Sequence, residues 1–85
     1  MYPNPFNSST LIRFTLPHGQ TAKLTIYNLA GQRVATLFHC PRPAGANTFR
    51  WDGRGDGGRL VTSGVYFYRL RTGDWQETRK LLLLR

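Results

Sequence analysis

The residues best suited to chemistry gather between Asp52 and Gly58, where Gly53, Gly55 and Gly58 satisfy the spacing G-x-G-x-x-G. That spacing cradles a pyrophosphate only where a strand hands over to a helix N-terminus. Here Leu60-Val61 and then Gly64-Val65-Tyr66-Phe67 follow, which read as strand, so no dinucleotide site is expected. Asp52, Asp56 and Gly57 imitate the opening of a calcium loop, but Arg54 and Ser63 stand at its third and twelfth positions, where carboxylates are needed. The Asp52 carboxylate is expected instead to accept from backbone N–H groups of its own loop. Arg54-Gly55-Asp56 spells an adhesion tripeptide, which a glycine-rich turn reaches readily by chance. Asn7-Ser8-Ser9 is a glycosylation acceptor only in a host that modifies it.

Nothing else in the chain assembles a reaction centre. His18 and His39 lie 21 residues apart, and the acids are Asp52, Asp56, Asp74 and Glu77 alone. No Ser or Cys stands at a strained elbow beside a base. Neither catalytic residues, a metal site nor a cofactor is expected. Cys40 is the only cysteine, which excludes an internal disulfide and reads as a small, half-buried apolar residue.

The C-terminus is more informative, because Lys80-Leu81-Leu82-Leu83-Leu84-Arg85 sets four leucines between two cations. One reading is structural: Leu82 and Leu84 pack in the core, Leu81 and Leu83 cover the other face, and the cations discourage aggregation. The other is functional, with this last strand captured by a receptor.

The elements that must position these residues are short strands. Thr10 to Leu16 alternates, with Ile12, Phe14 and Leu16 on one face, and Pro17-His18-Gly19 stops it. Ala22 to Leu29 repeats the pattern with Leu24 and Ile26 inward and Lys23, Thr25 and Tyr27 outward. Asn28-Leu29-Ala30-Gly31 turns the chain, Gly31 supplying a positive φ, and Gln32 to Phe38 returns. A break is expected from Pro41 to Gly45, since proline cannot donate to a ladder. Asn47 to Trp51 points Phe49 and Trp51 inward. Gly64 to Arg71 is apolar on both faces at first, as a central strand would be, and Gln76 to Leu84 closes the chain after a turn at Thr72-Gly73-Asp74. No window carries a capped helical period. The expected fold is all-β, an antiparallel immunoglobulin-like sandwich of about seven strands, forming one domain over residues 1–85.

Composition narrows the partners. The net charge is +8, but the twelve cations, ten of them Arg, spread from Arg13 to Arg85 without a basic helix. That distribution argues against nucleic acid and leaves only a general attraction to acidic surfaces. The longest apolar run, Leu81 to Leu84, is too short to span a bilayer. Met1 leads directly into Tyr2-Pro3-Asn4-Pro5 with no signal peptide between.

Three stretches together carry a family resemblance. Tyr2-Pro3-Asn4-Pro5-Phe6-Asn7 opens it, Trp51-Asp52-Gly53 with Ser63-Gly64-Val65-Tyr66-Phe67-Tyr68-Arg69-Leu70 forms its centre, and Lys80 to Arg85 closes it. The pattern resembles the C-terminal sorting domain of the type-nine (Por) secretion system and is similar to the immunoglobulin-like domain of the flagellar hook-capping protein. The resemblance implies a non-catalytic module appended to an upstream cargo domain and read by outer-membrane secretion machinery. It further implies release or attachment at the bacterial cell surface by way of the periplasm, with anionic lipopolysaccharide reached through the cargo. By position, Lys80, Leu81, Leu82, Leu83, Leu84 and Arg85 correspond to the sorting signal. Tyr2, Pro3, Asn4, Pro5, Phe6, Trp51, Asp52, Gly53, Gly64, Val65, Tyr66, Phe67 and Tyr68 correspond to family structural positions. Ser8, Gly55 and Cys40 depart from the family pattern. On this reading the chain is excised from a larger secreted protein. The alternative is a structural spacer or assembly domain, as in a hook cap or surface adhesin.

Overall fold

The computed structural model describes residues 9–84, so the expectations placed on Tyr2 to Phe6 and on Arg85 lie outside the described residues. Six strands follow one another: β1 Thr10–Leu16, β2 Gln20–Tyr27, β3 Arg33–Arg42, β4 Gly45–Trp51, β5 Gly64–Arg71 and β6 Gln76–Leu83. All pairings are antiparallel. β1 and β4 form a two-stranded sheet, and β3-β2-β5-β6 form a four-stranded one. The sandwich expected from the alternating pattern is therefore present, with six strands among the described residues against about seven expected.

Two sheets close over one core because each strand sends every second side chain between them. Ile12, Phe14 and Leu16 from β1 meet Ala22, Leu24 and Ile26 from β2, Tyr66, Tyr68 and Leu70 from β5, and Leu81 and Leu83 from β6. Trp51 fills the centre with its ring edge-on to Tyr66, centroids 5.3 Å apart. Both aromatic polar tips are satisfied. The Trp51 indole Nε1–H donates to the Arg54 carbonyl at 2.9 Å, and the Tyr66 hydroxyl donates to the Thr62 carbonyl at 2.6 Å. That last bond pins the chain where it crosses from one sheet to the other, the tyrosine corner of immunoglobulin-like sandwiches.

Two local expectations are corrected, and one, on Thr25, holds with more burial than an outward face suggests. First, β3 does not stop at Phe38 but runs on through Pro41 to Arg42, with Pro41 opposite Thr21. Among the described residues β3 is an edge strand, where a sheet tolerates proline. Second, β2 places Thr25 on its outer face as expected, yet Thr25 is only 4% exposed, because neighbours on both sides of a central strand cover it. Third, the leucine faces are inverted: Leu81 and Leu83 are buried, while Leu82 and Leu84 are 53% and 66% exposed. The turn after β5 is responsible. Thr72 N–H donates to the Trp75 carbonyl at 2.8 Å, and the Thr72 hydroxyl accepts from the N–H groups of Asp74 and Trp75. A four-residue connection results, which sets Gln76 opposite Arg71 and so Leu81 opposite Tyr66 on the core side. A one-residue difference in register exchanges the two faces of a strand.

Candidate functional site

The two edges of the four-stranded sheet are treated differently. On the β3 side, extra residues at Leu37 and Val34 break the register against β2, and such bulges twist an edge away from further pairing. The glycine-rich loop then covers what is left. Asp56 Oδ1 accepts from the Thr36 N–H at 2.9 Å, the Asp56 N–H donates to the Val34 carbonyl at 2.9 Å, and Asp56 Oδ2 lies 3.4 Å from the Arg33 guanidinium. The close approach explains Gly55, since a Cβ there would stand 3.2 Å from the Val34 carbonyl oxygen.

This geometry accounts for the loop residues that resembled ligand sites. Asp52 Oδ1 accepts from the Arg54 N–H at 3.1 Å, as the sequence led one to expect, and the Arg54 guanidinium donates to the Gly58 carbonyl at 2.8 Å. Gly53 and Gly58 adopt φ of 77° and 85°, the left-handed region open to glycine. Arg54 and Asp56 of the adhesion tripeptide are thus both tied into the loop and the sheet edge it covers. No group of three or more potential metal ligands comes together among the described residues. His18 and His39 sit on separate segments, and Cys40 is a half-buried free thiol on β3 opposite Ala22.

On the other side, β6 has no strand beyond it among the described residues. The Thr10 hydroxyl donates to the Leu82 carbonyl at 3.1 Å, so the main-chain groups of Leu82 point away from β5. The N–H and C=O of one strand residue share a side and alternate along the chain, so Lys80, Thr78 and Gln76 offer theirs to the same edge. β1 touches β6 at Thr10 and then diverges from it. A cleft of about 580 Å³ opens between them, bordered by Arg13, Phe14 and Thr15 of β1 and by Trp75, Gln76, Glu77 and Arg79. Among the described residues β1 pairs with β4 alone, so two strand edges face this cleft. Glu77 and Arg79 form an exposed ion pair at 2.8 Å along its rim, and the Glu77 carboxylate holds the Arg79 guanidinium in its charged form.

The positions expected to carry a sorting signal therefore divide. Lys80 and Leu82 stand on the outer face of an edge strand and Leu84 is exposed just beyond its end, whereas Leu81 and Leu83 belong to the core. Of the positions expected to be structural, Trp51 and Tyr66 make the corner, Tyr68 is buried beside them, and Gly64 (φ 152°) starts β5. Val65 and Phe67 lie half-buried on the outer face. Asp52 and Gly53 begin the covering loop. Sequence reasoning missed the Thr62–Tyr66 bond and the Asp56 cap on β3; the spacing Thr62-x-x-x-Tyr66 ahead of a central strand is the one signal that pointed to the former.

Comparison with known proteins agrees with this architecture. A family model described as the FlgD Ig-like domain matches residues 6–74, most of the chain. Two solved chains match; one of them, the crystal structure of FlgD from P. aeruginosa, aligns with a TM-score of 0.73 at 21% identity. The alignment covers 92% of this chain and 60% of that one. No curated protein matches.

Proposed function

The chain belongs to the FlgD Ig-like domain family, and from that membership we propose that it is a non-catalytic assembly module of a larger protein of the bacterial envelope or flagellar exterior. The observation that carries the reading is the open edge of β6. Among the described residues, one edge of the sheet is bulged and capped, whereas the opposite edge turns the main-chain groups of Gln76, Thr78 and Lys80 outward beside a cleft of about 580 Å³. Addition of a strand to such an edge gains affinity from main-chain bonds and selectivity from alternate side-chain contacts. Lys80, Leu82 and Leu84 are the side chains that an added strand would meet on the outer face.

The test grafts this chain in place of the corresponding domain of a hook-capping protein and scores hook assembly. Assembly is expected with the parent chain and is expected to fail with Thr78→Pro, which removes an open-edge donor without touching the β5 ladder. Failure of the parent graft in a correctly folded chimera overturns the reading.

A second reading rests on the terminal Lys80 to Arg85 pattern, half of whose leucines are exposed. Here the module is a C-terminal sorting domain that hands upstream cargo to the type-nine outer-membrane machinery. Fused behind a periplasmic reporter in a competent bacterium, the chain is expected to carry the reporter out. Lys80→Gln with Arg85→Gln is expected to abolish export while leaving the fold intact. A reporter held in the periplasm by the parent sequence rejects this second reading.

A further inference from the structure

The outer face of the four-stranded sheet carries a row of basic side chains with no acidic partner among the described residues. His39, Lys23 and Arg71 stand directly opposite one another across β3, β2 and β5. Two rows further along, Arg33, Tyr27, Phe67 and Lys80 stand in line, with Thr25 and Arg69 between. No Asp or Glu belongs to this face of the four strands. Asp56 reaches only its rim, where it holds Arg33. Like charges placed opposite one another on neighbouring strands destabilise a sheet, and neither Lys23 nor Arg71 has an acidic partner among the described residues. A groove of about 480 Å³ lies over Lys23, His39 and Arg71, with Thr21 at its side. A smaller groove, about 210 Å³, lies beside Tyr27, Phe67, Arg69 and Thr78.

We propose that this face binds an acidic polysaccharide, its carboxylates on the Lys23–Arg71 row and its sugar rings along Phe67. Charge complementarity requires an anionic occupant, and four observations choose among anions. A second copy of the chain is repelled, because each carries +8. An added polypeptide strand finds no main-chain partners here, since β2 and β5 are paired on both sides. The centre of the face is Thr25 beside Arg69 rather than the apolar anchor on which protein interfaces converge. A single-stranded nucleic acid needs successive free aromatic planes, whereas Arg69 stacks 4.8 Å over the Tyr27 ring and leaves Phe67 as the unstacked aromatic of the row. Cations, hydroxyls and a ring plane, all from side chains, are what a charged sugar chain can use. The Lys23–Arg71 row and Phe67 lie on β2 and β5; Lys80 and Thr78 belong to β6, and the variants below leave both unchanged.

The experiment titrates residues 1–85 with polygalacturonate at near-physiological salt, following binding by calorimetry and the fold of every variant by circular dichroism. Lys23→Gln with Arg71→Gln is expected to weaken binding by about tenfold or more. Arg13→Gln with Arg50→Gln removes the same charge from the outer face of the small sheet and is expected to change it by less than about threefold. Phe67→Leu keeps an apolar side chain, loses the ring plane and is expected to weaken binding severalfold. Equal losses in the two double variants overturn the proposal in favour of an unspecific basic field, as does no binding by the parent. Equal or tighter binding of poly-L-glutamate reassigns the face to an acidic polypeptide. Equal or tighter binding of oligothymidylate reassigns it to single-stranded nucleic acid.

Discussion

Leu82 and Leu83 are adjacent, chemically identical and oppositely placed, and the difference can be measured. Leu83 is fully buried between the sheets, whereas Leu82 is half exposed. Leu83→Ala removes buried methyl groups and leaves a cavity, an expected loss of about 2–5 kcal/mol. Leu82→Ala is expected to change stability by no more than about 0.5 kcal/mol. Urea unfolding of the two variants checks the order, and the reverse order would restore the faces expected from the sequence. Tyr66→Phe leaves the Thr62 carbonyl without its donor and is expected to lower stability by about 1–2 kcal/mol in the same assay. Burial also lifts the Tyr68 phenol above its ordinary value, with the Arg79 charge pulling it down and Glu77 adding to the rise. Because the folded value is the higher one, the Tyr68 contribution is complete below about pH 10 and is lost as pH rises from there through the folded value. Tyr68→Phe should therefore flatten the alkaline decline in the urea midpoint; an unchanged decline would place its cause elsewhere.

At the scale of elements, the strands were legible wherever one face was apolar and the other polar. β1 shows this best, since Ile12, Phe14 and Leu16 alternate with Leu11, Arg13 and Thr15 and are buried as the alternation demands. β6 was illegible for the opposite reason. Its first half is polar on both faces and its second half apolar on both, so no alternation reports the register and the preceding turn sets it. β3 extends past its expected end because edge position excuses Pro41, and edge position is a property of the sheet rather than of the segment. The loop from Asp52 to Gly58 looked like a ligand site because the residues that cap a sheet edge, glycines and aspartates, are those that hold phosphates and calcium. Asp56→Ala tests its structural role. It should expose the Thr36 amide to hydrogen exchange and cost about 1–2 kcal/mol, whereas unaltered Thr36 protection would mean that the loop does not guard β3.

For the molecule as a whole, charge is the dominant long-range term. Twelve cations face four acids, and the ion pairs Arg33–Asp56, Arg54–Asp52 and Arg79–Glu77 are all exposed. Exposed pairs contribute little, while a net charge far from zero strains the compact state by self-repulsion. Raising the sodium chloride concentration from about 20 to 300 mM is therefore expected to raise the melting temperature, since the shorter Debye length screens repulsion more than it costs the pairs. A fall in melting temperature with salt would show that attraction dominates.

Fold class followed from local chemistry alone: a period of two, punctuated by glycine and proline, can bury its apolar face only against a second sheet, and a chain of this length has material for one such core. Family resemblance was likewise written into short stretches around Trp51 and Tyr66. What no local pattern contained was the pairing order of the strands. Which edge is capped, which edge is open and which leucines turn outward all depend on contacts between residues far apart in sequence, such as Thr36 with Asp56 and Thr10 with Leu82. The cationic face depends on them too, because Lys23, His39 and Arg71 become neighbours only when three separate strands lie side by side.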